Sequence, residues 1–148
     1  GKHETKKLPT NKIISICNKL NQTVILIGGK EDFEAAKKIV AATSNTQNAC
    51  GKYSIGQSAF IIKNAKHVIT HDTGMMHIAA AFKKKIYSVW GNTIPAFGMT
   101  PYLADASSKI IEVKNLSCRP CTKIGFDKCP KGHFDCMQKI DVNLFLSE

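Results

Sequence analysis

No stretch of 18 or more apolar residues occurs in this chain, so the sequence offers no membrane-spanning helix. Its opening residues do not read as a signal peptide, and the cytoplasm is the expected compartment. The strings Gly-x-x-x-x-Gly-Lys-Ser/Thr and Gly-x-Gly-x-x-Gly are both absent, which counts against a P-loop kinase and a nicotinamide dehydrogenase. No Gly-x-Ser-x-Gly elbow is present to make a hydrolase of His71-Asp72 and the scattered serines. Aromatic residues make up only 7% and fall mostly within apolar patterns, so there is no stacking stripe of the kind single-strand binders use. Acidic side chains are scarce as well: 11 stand against 21 basic ones, a net charge of +10. That surplus favours an anionic partner, whether nucleotide phosphate, anionic lipid or nucleic acid. The lysines are scattered, however. Their longest run, Lys83-Lys84-Lys85, suits a solvated helix end as well as a binding patch.

A length of 148 residues and an apolar content of 43% are enough for one domain with a real core, covering residues 1–148. Ile13, Ile16, Cys17 and Leu20 recur at helical spacing behind Pro9, predicting an amphipathic helix over 10–20. Residues 23–27 read as a buried strand closed by Gly28-Gly29. A second helix is expected over 32–42, with Phe33, Ala36, Ile39 and Val40 on one face. Ser54 and Gln57 form a capping-box pair that starts a third. Short apolar runs at 68–70, 86–90 and 109–113 read as further strands. A last helix near Cys136 is expected to turn Met137, Ile140 and Leu144 inward. Strands alternating with helices predict an α/β, Rossmann-like, doubly wound parallel sheet. Residues 115–136 break the composition with a Cys-, Lys-, Gly- and Pro-rich loop before the last helix.

The most informative stretch is His71-Asp72-Thr73-Gly74-Met75-Met76-His77-Ile78-Ala79-Ala80-Ala81. It reads as a strand end, a tight polar turn and a buried helix, and in a parallel α/β sheet such turns are where ligands bind. Amides left free at the helix start, with the positive dipole end behind them, suit a phosphate. The plainer account makes Asp72 or Thr73 an N-cap, Gly74 a helix-start residue and His77 a satisfied buried histidine.

The string Asp72-Thr73-Gly74-Met75-Met76-His77-Ile78-Ala79-Ala80-Ala81 resembles the signature of the ADP-heptose:lipopolysaccharide heptosyltransferases, glycosyltransferase family 9. The likeness continues through Trp90-Gly91-Asn92-Thr93-Ile94-Pro95 and Pro101-Tyr102. It reaches back to Lys2-His3-Glu4-Thr5-Lys6-Lys7-Leu8-Pro9 and to Ile27-Gly28-Gly29-Lys30-Glu31-Asp32. The resemblance implies the carboxyl-terminal, donor-binding half of a GT-B glycosyltransferase, one lacking its first strand and the amino-terminal acceptor domain. By resemblance, heptose moves from ADP-heptose to the lipopolysaccharide inner core by single displacement with inversion. The general base would be a carboxylate of the absent domain, so this chain alone would bind ADP without catalysing transfer.

Carried over by motif, Thr73, Gly74, Met75 and His77 would line the diphosphate, with Asp72 fixing the turn or meeting the sugar. Lys6, with Thr5 beside it, matches the basic residue that stabilises the leaving ADP; Lys7 takes that role if the register slips by one. Glu31 or Asp32 would meet ribose hydroxyls, Asp32 equally serving as a helix cap. Tyr53 falls where the family places a residue against adenine, a core tyrosine being the simpler alternative. Thr93 would lie in a loop near the donor. No cofactor is expected for catalysis, because there is no Asp-x-Asp string and Lys6 with the helix dipole supplies the positive charge. A related transferase using another nucleotide sugar is the alternative on the same fold. Peripheral association with the inner face of the inner membrane would suit the basic surface.

Four of the six cysteines crowd into the Cys-rich loop. Cys118 and Cys121 form a Cys-x-x-Cys knuckle, which Cys129 with Cys136 or His133 would complete as a tetrahedral structural zinc site. Free thiols are the competing account, and disulfides are disfavoured in the cytoplasm. Family members carrying a similar stretch imply a structural role for it. A basic zinc-knuckle module that binds nucleic acid is the rival from another class; the scarcity of aromatics speaks against it, and no nucleic-acid partner is expected.

Overall fold

In the computed structural model, which describes residues 3–146, apolar periodicity becomes five helices and five strands among the described residues. The described residues form two compact units: 3–8 with 59–140, and 9–58 with 141–146.

The first of these is built on a three-stranded parallel sheet of β3 (His67–His71), β4 (Lys85–Trp90) and β5 (Lys109–Glu112), in the order β3-β4-β5. The central strand β4 is buried along five consecutive residues, Ile86 to Trp90. A parallel strand covered on both faces has to be apolar throughout rather than alternating. Two of the polar groups it carries are matched to each other, the Trp90 indole N–H donating to Ser88 Oγ at 3.1 Å. Helix α4 (Gly74–Ala81) joins β3 to β4 and buries Met76, Ala79 and Ala80. Its apolar composition reflects a connection inside the core rather than on the surface. Lys84 follows, its Nζ donating to the Ala65 carbonyl at 2.9 Å, so part of the lysine triplet closes a turn.

Register places the site. His71 pairs with Val89, and Trp90 with Glu112. The turn after β3, the loop after β4 and the end of β5 therefore leave the sheet at the same edge.

The second unit holds α1 (Thr10–Lys19), β1 (Val24–Leu26), α2 (Phe33–Ala41) and β2 (Thr46–Asn48), with β1 and β2 parallel. Strand β2 has no counterpart among the expected elements: Thr-Gln-Asn carries no apolar signal. Asn45 braces this unit, its Nδ2 donating to the carbonyls of Cys17, Leu20 and Gln22. The expected capping box at Ser54 and Gln57 is formed, and α3 (Ile55–Asn64) starts there.

The last helix departs from expectation. Helix α5 covers only Asp135–Gln138, burying Cys136 and Met137. A 3₁₀ turn, Val142–Phe145, then follows, with Asp141 accepting from the Asn143 amide. The cap breaks the helical register between Ile140 and Leu144. Leu144, expected inward, is exposed, and Phe145 is buried in its place. No helix among the described residues is long and apolar enough to cross a membrane.

Candidate functional site

Helix α4 begins at the polar turn that the sequence marks. Thr73 has extended backbone (φ −145°, ψ 168°), and its side chain makes no cap bond to the helix. Cap bonding instead starts with the Met76 amide, which donates to the Thr73 carbonyl at 3.0 Å. The amides of Gly74 and Met75 are left without an acceptor among the described residues. A Cβ placed on Gly74 would meet nothing within 4 Å, so the backbone opens there onto free space. Gly74 and His77 are exposed and Met75 half-buried, on the accessible side of the helix start.

Two opposing loops close around this turn. Lys6, at the end of a 3₁₀ turn over Glu4–Lys6, places its Nζ 2.6 Å from Asp72 Oδ2. Thr93 Oγ1, from the loop after β4, donates to the same oxygen at 3.1 Å. Asp72 and Thr93 are buried, while Lys6 keeps 18% of its side-chain surface. An ammonium carries three donors, so Lys6 is fixed by one of them at the rim of the turn. The Leu8 amide donates to His71 Nε2 at 2.9 Å, pinning the Lys6 loop to the end of β3. Lys7 points elsewhere, to Glu4 at 2.7 Å, so the register is the one that places Lys6 in the site.

The structure thus brings Lys6, Asp72, Thr73, Gly74, Met75, His77 and Thr93 to one edge of one sheet. Thr5 is corrected. Expected at the phosphates, it is buried, and its hydroxyl donates to the Phe126 carbonyl (2.8 Å) while accepting from the Phe126 amide (2.7 Å). Thr5 staples the Lys6 loop to the Cys-rich loop. Thr93 likewise acts through Asp72 rather than by facing outward.

Glu31, Asp32 and Tyr53 belong to the second unit. Asp32 Oδ2 accepts from the Gly29 amide at 3.1 Å and makes no cap bond to α2, so its carboxylate ties a turn rather than starting the helix. Glu31 is exposed. Tyr53 is 49% exposed, which rules out the core-tyrosine account.

The zinc expectation does not fit the arrangement found. Among the described residues, no three His, Cys, Asp or Glu side chains are placed to hold a metal ion. The Cys121 thiol donates to the Cys118 carbonyl at 3.0 Å. His133 Nδ1 accepts from the Asp135 amide at 3.0 Å. Burial, with Cys118 and Cys129 nearby, pushes the Cys121 thiol up; burial and the other thiols of the cluster push Cys136 up to about 11.

Sequence reasoning missed three residues. His71 was read as a strand end, and as half of a hydrolase pair that was set aside, not as the acceptor of the Leu8 amide. Asn92 is buried with neither side-chain amide atom hydrogen-bonded among the described residues. Arg119, treated as a spacer between cysteines, is 6% exposed and paired with Glu112 at 2.9 Å. No local periodicity marks His71 or Arg119, because each bonds chain distant in sequence.

Comparison with known proteins places these features in a family. Lipopolysaccharide heptosyltransferase 2 of Escherichia coli is 34% identical over 86 residues, covering 55% of this chain and 24% of that protein. Lipooligosaccharide heptosyltransferase 2 of Campylobacter jejuni is 26% identical over 132 residues, covering 86% of this chain and 40% of that protein. The chain thus spans well under half the length of these relatives. In structure it resembles E. coli ADP-heptose LPS heptosyltransferase II (TM-score 0.70, 24% identity, 97% of this chain and 43% of that one). It also resembles a family 9 glycosyltransferase from Veillonella parvula (TM-score 0.75, 19% identity, 99% of this chain and 41% of that one). These likenesses establish the shared α/β fold. The profile of glycosyltransferase family 9 (heptosyltransferase) matches residues 2–129, and the chain belongs to that family.

Proposed function

We propose that this chain binds the nucleotide-sugar donor of a heptosyltransferase, holding the diphosphate of ADP-heptose at the start of α4. The observation that carries this reading is the convergence of Lys6, Asp72 and Thr93 on a helix start whose first amides have no acceptor among the described residues. Breaking the sugar–phosphate bond leaves added negative charge on the departing ADP. Fixed donors aimed where that charge develops are the cheapest way to stabilise it. Gly74 and Met75 amides, the helix dipole and Lys6 supply those donors without a divalent metal. His77 lines the same accessible face.

Transfer to a lipopolysaccharide hydroxyl with inversion requires a base within hydrogen-bond reach of that hydroxyl. Asp72 is the buried carboxylate of the site, and both its charge and its hydrogen bonds are committed to Lys6 and Thr93. Asp72 is thus committed to holding the turn, and the family resemblance gives the base, with the acceptor site, to an amino-terminal domain. The net charge of +10 suits an enzyme that meets an anionic lipid acceptor at the inner face of the membrane.

Calorimetric titration with ADP, with UDP and GDP as competitors, tests the reading. Saturable ADP binding that is lost in Lys6→Ala and Thr73→Ala supports it, together with no steady transfer by the isolated chain. A folded chain that binds none of the three overturns it. Tight, steeply salt-dependent binding of a single-stranded oligonucleotide instead would favour the nucleic-acid class.

A further inference from the structure

The loop after β4 is held in an unusual way. Arg119 Nε donates to the Gly91 carbonyl at 2.5 Å. Its Nη2 reaches the carbonyls of Thr93 at 3.0 Å and Trp90 at 3.4 Å, and the Glu112 carboxylate at 2.9 Å. Its Nη1 donates to the Val113 carbonyl at 2.6 Å. The remaining carbonyl of the loop, Asn92, accepts from the Cys121 amide at 3.0 Å. Four consecutive carbonyls, 90 to 93, are therefore taken by two residues of the Cys118–Cys121 segment. The loop passes close to its neighbours: a Cβ on Gly91 would stand 3.0 Å from the Thr5 carbonyl and 2.6 Å from Met137 Cε. The loop is thus squeezed from one side and clamped from the other, and Thr93 emerges from it directly onto Asp72.

We propose that Arg119 is a positioning residue for the donor site. Its guanidinium fixes the backbone from Trp90 to Thr93, so that Thr93 Oγ1 holds Asp72 and Asp72 holds Lys6 at the helix start. The guanidinium is suited to this because it is planar, always charged and carries five donors in a rigid fork. A lysine keeps the charge but not the fork. The proposal gives the Cys-Arg-Pro-Cys segment a role that does not depend on metal, and it rests on the donor-binding reading above.

The test is a double-substitution cycle on the full chain, read as ADP affinity by calorimetry. Arg119→Lys is expected to weaken ADP binding about tenfold in the wild-type background but less than about twofold in a Thr93→Val background, because the two act along one path. Trp90, the single tryptophan, heads the clamped loop and supplies a readout independent of nucleotide. In Arg119→Lys its fluorescence should become more accessible to acrylamide while far-UV circular dichroism is unchanged. Should that variant not fold, Glu112→Gln, which releases the guanidinium on one side only, must weaken ADP in the same Thr93-dependent manner. Wild-type affinity in Arg119→Lys, or losses that simply add across the cycle, overturns the inference while leaving the donor reading intact. A wild-type chain that binds no nucleotide overturns the donor reading itself, a result distinct from either.

Discussion

Gly74 is the residue at which fold and function separate most cleanly. A methyl group added there touches nothing in the protein, so it removes no packing and introduces no clash. It would, however, project into the space that a phosphate must enter to reach the free amides of the turn. Gly74→Ala is therefore expected to keep the thermal midpoint of the wild-type chain and to weaken ADP binding about tenfold, roughly 1.4 kcal/mol. Calorimetry and thermal melting on one sample check both halves. Lys6 and Asp72 behave differently, because their pairing is partly buried. Lys6→Met leaves the Asp72 carboxylate facing only a hydroxyl, and breaking a buried pair from one side costs about 3 kcal/mol. Asp72→Asn added to it removes the stranded charge. The double variant should therefore unfold at higher urea than Lys6→Met alone, while still failing to bind ADP.

At the scale of elements, the period of apolar residues located most helices and strands to within a residue or two. Burial sets that period, and burial is decided locally when a face is continuous. The misses have a common cause. Strand β2 is polar and stabilised through its backbone ladder to β1, which leaves no trace in side-chain hydrophobicity. The stretch after α5 was read as continuous helix because Met137, Ile140 and Leu144 fit the spacing; Asp141, a short acidic cap, redirects the chain between them. The site divides in the same way. Residues within the Asp-Thr-Gly-Met-Met-His string were legible because the turn and helix that hold them are adjacent in sequence. Arg119 was not, since its partners at 90–93 lie far back along the chain and are carbonyls, which any residue supplies. Capping was among the legible signals and can be tested directly. Ser54→Ala removes the acceptor of the Gln57 amide and should destabilise the unit containing α1 and α2 by about 1 kcal/mol, seen as a lower urea midpoint.

For the whole molecule, the buried thiols link stability to pH, and each compact unit contains one that is strongly shifted. Cys50 is pushed up from 9.0 to about 11, first by burial and then by the Asp32 and Glu31 carboxylates. Cys136 is pushed up from 9.0 to about 11 by burial and the neighbouring thiols. A raised folded-state value means that above pH 9 the unfolded chain releases a proton that the folded one retains. The contribution of these thiols is then whole below pH 9 and is lost as pH rises through 9 towards 11. Urea midpoints should fall across that window, and Cys136→Ala should flatten the fall, which separates the thiol effect from the titration of lysines and tyrosines common to both chains. A pulse of iodoacetamide at pH 8, read by peptide mass spectrometry, follows each unit separately. Cys50 and Cys136 should react at least about a hundredfold more slowly in the native protein than in urea, because a protonated, buried thiol is alkylated only when its surroundings open. Rapid native labelling of Cys136 would show that the Cys-rich segment opens readily. The clamp on residues 90–93 would then have to form on donor binding rather than precede it.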